Sequence, residues 1–156
     1  MTNEISNGTT ASEPQEGPRI SVIQIYMKDC SFEAPNTPEI FSVTDAQPDF
    51  KFSLDSSARQ LEDEVFEVLL TVTVTAKIDS KVLCLAEVHQ AGIFSFIDFS
   101  KQELESALAT WCPEQLYPYA REAISSLTSR GGMPISLDHQ NFESIYAKNQ
   151  DSETTH

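Results

Sequence analysis

Hydrophobic and polar positions alternate most strictly between Phe66 and Lys77. Phe66, Val68, Leu70, Val72, Val74 and Ala76 share one parity, while Glu67, Thr71, Thr73, Thr75 and Lys77 fall on the other. A two-residue period held over that length predicts a strand with one buried and one wet face. Asp79-Ser80 predicts a hairpin turn, and Val82 to Phe94 an antiparallel return. On the return strand Val82, Cys84, Ala86, Val88 and Gln90 form one row, and Leu83, Leu85, Glu87 and His89 the other. The second row mixes leucines with a carboxylate and an imidazole. Either a docked partner or the chain's own loop covers such a surface.

Upstream, Ile20 to Phe32 is rich in β-branched and aromatic residues and predicts a first strand, ended by Ala34-Pro35-Asn36-Thr37-Pro38. The stretch on to Pro48 reads as a crossing loop rather than a tight turn. Phe50, Phe52 and Leu54 then alternate with Lys51, Ser53 and Asp55 as a short strand, and Glu62-Asp63-Glu64 reads as a charged link.

Downstream the period changes. Ser100 and Glu103 form a capping box, and Leu104, Ala107, Leu108 and Trp111 make one apolar stripe on a helix that Pro113 should stop. Pro118 is placed to open a second helix, with Ala120, Ala123, Ile124 and Leu127 inside and Gly131-Gly132 at its close. Asn141 should cap a last short helix with Phe142, Ile145 and Tyr146 as its apolar positions. Four strands followed by three helices give an α+β class with a four-stranded antiparallel sheet and helices on one face.

Composition narrows the function. Residues 1–18 and 149–156 are polar and predict disordered tails around one domain, 19–148. The chain of 156 residues carries a formal charge of −14, and residues 20–131 alone hold 17 acidic against 8 basic side chains. Such a surface disfavours nucleic acid and anionic lipid and attracts basic, extended polypeptide, unless the acidity serves solubility alone. The start of the chain lacks the basic and apolar regions of a signal peptide, and no apolar run is long enough to insert in a membrane, so a cytoplasmic protein is expected.

Cys30, Cys84 and Cys112 are expected as reduced thiols, and with His89, His139 and His156 they make no metal-ligand spacing. Neither GxGxxG nor GxxxxGK[ST] occurs. Asp138-His139 with Ser136 nearby is the one tempting acid–base grouping, but neighbours on a loop rarely form a triad. No enzyme activity, cofactor or metal is expected.

Four blocks carry a family likeness. Ile25-Tyr26-Met27-Lys28-Asp29-Cys30-Ser31-Phe32-Glu33-Ala34-Pro35-Asn36, Val72-Thr73-Val74-Thr75-Ala76, Gln90-Ala91-Gly92-Ile93-Phe94-Ser95 and Pro118-Tyr119-Ala120-Arg121-Glu122 resemble the signatures of SecB, the bacterial protein-export chaperone family. Arg130-Gly131 and Asn141-Phe142 extend the likeness, in collinear order, over residues 20–147.

The resemblance implies a homotetramer, built as a dimer of dimers, that holds unfolded preproteins without ATP and delivers them to SecA. It implies SecA contacts at Asp29, Glu33, Leu85 and Glu87, where a basic zinc-binding tail docks, and the parity of Leu85 and Glu87 agrees. It implies a client groove lined by Phe50, Phe52 and Leu54 with Phe41, although alternating Phe and Leu also read as core. Contacts between copies are expected at Ala86, Val88, Gln90, Leu104, Leu108 and Trp111. A related fold serves toxin–antitoxin systems by protecting an antitoxin, and that is the alternative function. One departure stands out: family members often carry a tryptophan in the crossing loop where this chain has Ala46, with one extra loop residue.

Overall fold

The computed structural model describes residues 13–14, 16–43 and 45–154. Of the expected N-terminal tail, residues 1–12 and 15 lie outside the described residues, as do 155–156 of the C-terminal one. Four strands make one antiparallel sheet: β1 (Arg19–Glu33), β2 (Asp49–Glu62), β3 (Val65–Ile78) and β4 (Lys81–Ile97), in the order β1-β4-β3-β2. β1 and β2 are thus the two edges, and the loop between them, with a 3-10 turn at Glu39–Ser42, carries the chain across the sheet as expected. The other strands form a meander. Asp79 and Ser80 both adopt positive φ, 47° and 68°, as a tight hairpin turn matching strand twist requires.

The even-numbered row of β3 and β4 faces the helices. Val68, Leu70, Val72, Cys84, Ala86, Val88 and Phe94 are fully buried there. The helices are α1 (Lys101–Ala109), α2 (Trp111–Arg130) and α3 (Phe142–Glu153). α2 supplies Cys112, Leu116, Ala120 and Ile124 to the same core. Close approach depends on Gly92, where a Cβ would stand 2.7 Å from Phe94 and 2.9 Å from Leu116. The helix ends follow the sequence signals. Ser100 and Glu103 close both halves of the capping box, Asn141 Oδ1 accepts from Ser144 N at 3.0 Å, and Gly132 leaves α2 at φ 78°.

Four expectations need correction. The short strand at Phe50–Leu54 is a fourteen-residue strand, paired with β3 as far as Glu62↔Val65, and the charged link is a tight turn with Glu64 at φ 63°. Pro113 does not stop a helix and Pro118 does not open one. The chain breaks at Thr110 (φ −121°, ψ −68°), and α2 starts at Trp111. Pro113 then falls in the first turn, whose N–H groups have no helical partner in any case, and exposed Pro118 lies inside the helix. The polar stretch from Asn149 continues α3 to Glu153 instead of forming a tail. Finally, Ala86, Val88 and Gln90 are 0%, 0% and 4% exposed within a single chain, beneath its own helices, so they are core and not contacts between copies. Leu104, Leu108 and Trp111 pack on the core only partly, and Trp111 meets Phe94 edge-on with ring centroids 5.9 Å apart.

Candidate functional site

Strand parity, read with the pairing register, divides the named residues between opposite faces of the sheet. On the face away from the helices, β1 pairs with β4 so that Asp29 stands opposite His89, Ser31 opposite Glu87 and Glu33 opposite Leu85. Residues directly opposite share a face, so Asp29, Glu33, Leu85 and Glu87 form one patch. It is ~13 Å long, set by four residues of strand rise, and two strands wide.

Asp29 and Glu33 are exposed, Leu85 and Glu87 half-buried. Glu87 accepts from the Thr73 hydroxyl at 2.9 Å and lies 2.7 Å from His89 Nε2. An ionised carboxylate cannot donate, so Nε2 carries the proton, and in the neutral ring Nδ1 is left to accept from Thr71 at 3.4 Å. The His89 contact, then the Thr73 bond, holds the Glu87 carboxyl below its ordinary pKa. The patch therefore stays anionic at neutral pH, with a half-buried leucine at one end.

Leu83 does not join this patch. A bulge after the Ala76↔Cys84 pair leaves Leu83 unpaired and turns it inward, where Ile40 of the crossing loop, Ile78 and Ala76 bury it to 7% exposure. The chain's own loop covers Leu83, then, while Leu85 stays on the outer face. Ala46 packs against the same small cluster.

The second group lies on the helix side of the opposite edge. Phe50 and Phe52 stand opposite Ala76 and Val74 and are 59% and 37% exposed. With Val74 and the segment Pro134–Asp138 they line a hollow of about 390 Å³. That segment is the far wall, and three bonds tether it: Met133 N to Thr128 O at 2.9 Å, Ile135 N to Thr128 Oγ1 at 3.0 Å, and Tyr117 Oη to the Asp138 carbonyl at 2.5 Å. Leu54 lines the next hollow along β2, about 370 Å³, with Leu70, Leu108, Phe142, Ile145 and Tyr146. Phe41 borders neither hollow; its exposed ring lies beside Gly132. The wall at Pro134–Asp138 escaped the sequence reading because a loop has no periodicity to betray what it faces.

A third grouping was also missed. Tyr26 and Lys28 of β1 and Arg59 of β2 converge on Glu67 of β3, which is 8% exposed. Lys28 Nζ and Arg59 Nη2 lie 3.0 and 3.1 Å from Glu67 Oε1, and Tyr26 donates its hydroxyl to Oε2. Tyr26 stands opposite Ala91 of β4, which is fully buried, and reaches past that strand to Glu67. Asp138 and His139 are exposed, and the Asp138 carbonyl accepts from the Tyr117 hydroxyl and from Gln140 Nε2. Among the described residues no group of three or more His, Cys, Asp or Glu could hold a metal, and no helix is long and apolar enough to cross a membrane.

Comparison with known proteins gives one consistent result. The family described as preprotein translocase subunit SecB matches residues 13–153. The protein-export protein SecB of Hydrogenovibrio crunogenus is 45% identical over 137 residues, covering 87% of this chain and 91% of the relative. That of Chromobacterium violaceum is 47% identical over 137 residues, covering 86% and 91%. The Stutzerimonas stutzeri protein is 41% identical over 149 residues, covering 95% and 90%. Among solved structures, a SecB-like chaperone of Mycobacterium tuberculosis, in complex with a ChAD peptide from an antitoxin, superposes with a TM-score of 0.61 at 21% identity, covering 79% of this chain and 91% of that one.

Proposed function

The chain belongs to the SecB family and is a chaperone of protein export, and on that premise we propose that it uses the two sides of its sheet for two partners. Unfolded preproteins lie along β2 against Phe50 and Phe52, with Leu54 and Phe41 extending the contact. SecA, through a basic tail, docks on Asp29, Glu33, Leu85 and Glu87. The observation that carries this reading is the separation itself: exposed aromatic rings on the helix side of one edge, an anionic patch on the outer side of the other. Apolar side chains beside an unpaired strand edge suit extended chains of many sequences, while carboxylates around one leucine suit a Lys-rich tail.

Assembly as a tetramer, a dimer of dimers, follows the same premise. The β1 edge leaves Val22, Ile23 and Met27 exposed at 44%, 54% and 46%, and α1 contains no buried residue although Leu104 and Leu108 share an apolar stripe. These surfaces support contact between copies. Holding in this scheme needs no ATP, and the place of action is the cytoplasm, where preproteins are made. The antitoxin-bound chaperone, at 21% identity, shares the fold alone, whereas the relatives at 41–47% identity are export proteins.

Charge reversal tests the division. Glu33→Lys or Glu87→Lys should weaken binding of the zinc-loaded SecA tail about tenfold or more in calorimetry, and leave capture of an unfolded preprotein unchanged. Phe50→Ser with Phe52→Ser should do the reverse. Parallel loss of both activities in either variant would reject two separate sites.

A further inference from the structure

The outer face that bears the anionic patch also bears a lysine that should spoil it. Lys28 immediately precedes Asp29, in the bulge between the Met27↔Gln90 and Asp29↔His89 pairs. An ammonium on a four-carbon stem at that position has Asp29 within reach. The structure sends it elsewhere: Nζ lies 3.0 Å from Glu67 Oε1, and among the described residues no ion pair reaches Asp29 or Glu33.

Glu67 is the single acidic residue of β3 and shares its row with Leu69, Thr71, Thr73 and Thr75. It is held in place independently of Lys28, by Arg59 directly opposite on β2 and by the Tyr26 hydroxyl. The Glu67 side chain is 10% exposed, whereas the Lys28 side chain stays 40% exposed and is free to move if the carboxylate goes.

We propose that Glu67 is a positioning residue for the acidic face: anchored by Arg59 and Tyr26, it draws Lys28 away from Asp29 and so leaves the patch uncompensated for a basic partner. The inference rests on reading that patch as the docking site of the SecA tail. Glu67 itself touches no partner. Its effect is on which charges a partner meets, which is where electrostatic complementarity sets specificity.

The test is tail binding, by calorimetry on the full-length chain at low salt, using the zinc-loaded tail peptide. Glu67→Gln should weaken binding about fivefold, and the loss should shrink at high ionic strength as screening removes the freed charge. Adding Lys28→Gln to Glu67→Gln should restore affinity to within about twofold of the parent, which a merely structural role for Glu67 would not do. Glu67→Asp conserves net charge and is the milder change to the fold. It should fall between the parent and Glu67→Gln, because the shorter side chain cannot hold Lys28 as well.

Unchanged binding in Glu67→Gln, or a loss that persists in the double variant, overturns the proposal. If Glu33→Lys and Glu87→Lys are also without effect, the docking site itself is wrong and both readings fall. If those two weaken binding while the Glu67 series does not, only this inference fails.

Discussion

Glu67 shows how one carboxylate can serve both stability and surface charge. The Tyr26 hydroxyl above all, then Lys28 and Arg59, lower its pKa from the ordinary 4.5, against the opposing effect of burial. Burial, and then the bond to the Glu67 carboxylate, raises the pKa of Tyr26 to about 12, so the phenol remains the donor throughout the neutral range. A carboxyl whose pKa is depressed on folding contributes stability above its unfolded value and loses it as pH falls through the lower folded value. Glu67→Gln should therefore cost about 1–2 kcal/mol at pH 7, a modest figure because Lys28 and Arg59 remain largely in water. Urea melts should show that gap narrowing as pH drops below 4.5. A gap that stays constant down to acid unfolding would mean the ion cluster does not stabilise the folded chain.

At the scale of the element, legibility followed burial contrast. β3 and the first part of β4 were readable because one row meets the core and the other meets water, and that contrast also put Leu85 and Glu87 on one face. The second half of β2, Ser56-Ser57-Ala58-Arg59-Gln60, is exposed on both sides, so no alternation marks it; the ladder with β3 holds it extended. Asp29 and Glu33 could not be registered against β4 from sequence, since the bulges between Val22 and Gln24 and between Met27 and Asp29 break the parity of β1. The bulge at Leu83 hid in the same way which leucine the protein covers itself.

The break at Thr110 was invisible because Leu104, Ala107, Leu108 and Trp111 keep helical spacing across it and still pack on one core. Ala86 and Val88 were misassigned because a fully buried row looks the same whether its own chain or a second copy covers it. Pro118 carries a prediction of its own. It sits inside α2 with an exposed ring and removes one intrahelical bond, so Pro118→Ala should raise stability by about 1–3 kcal/mol in a chemical melt. A loss instead would show that the helix is shaped around the proline.

For the whole molecule, charge and exposed apolar surface pull in different directions, and the proposed assembly reconciles them. Each chain carries −14, so four copies carry −56, a field that draws basic segments in while keeping the particle soluble. Exposed Val22, Ile23 and Met27 on one edge and Phe50 and Phe52 on the other are too much apolar surface for a lone chain to leave open without use. The first set suits a second copy and the second set a client. The most direct test is the mass in solution, by light scattering, with and without an unfolded secretory preprotein. The account predicts a tetramer that takes up the unfolded preprotein and ignores the same protein once folded. A monomer that binds neither form would contradict it.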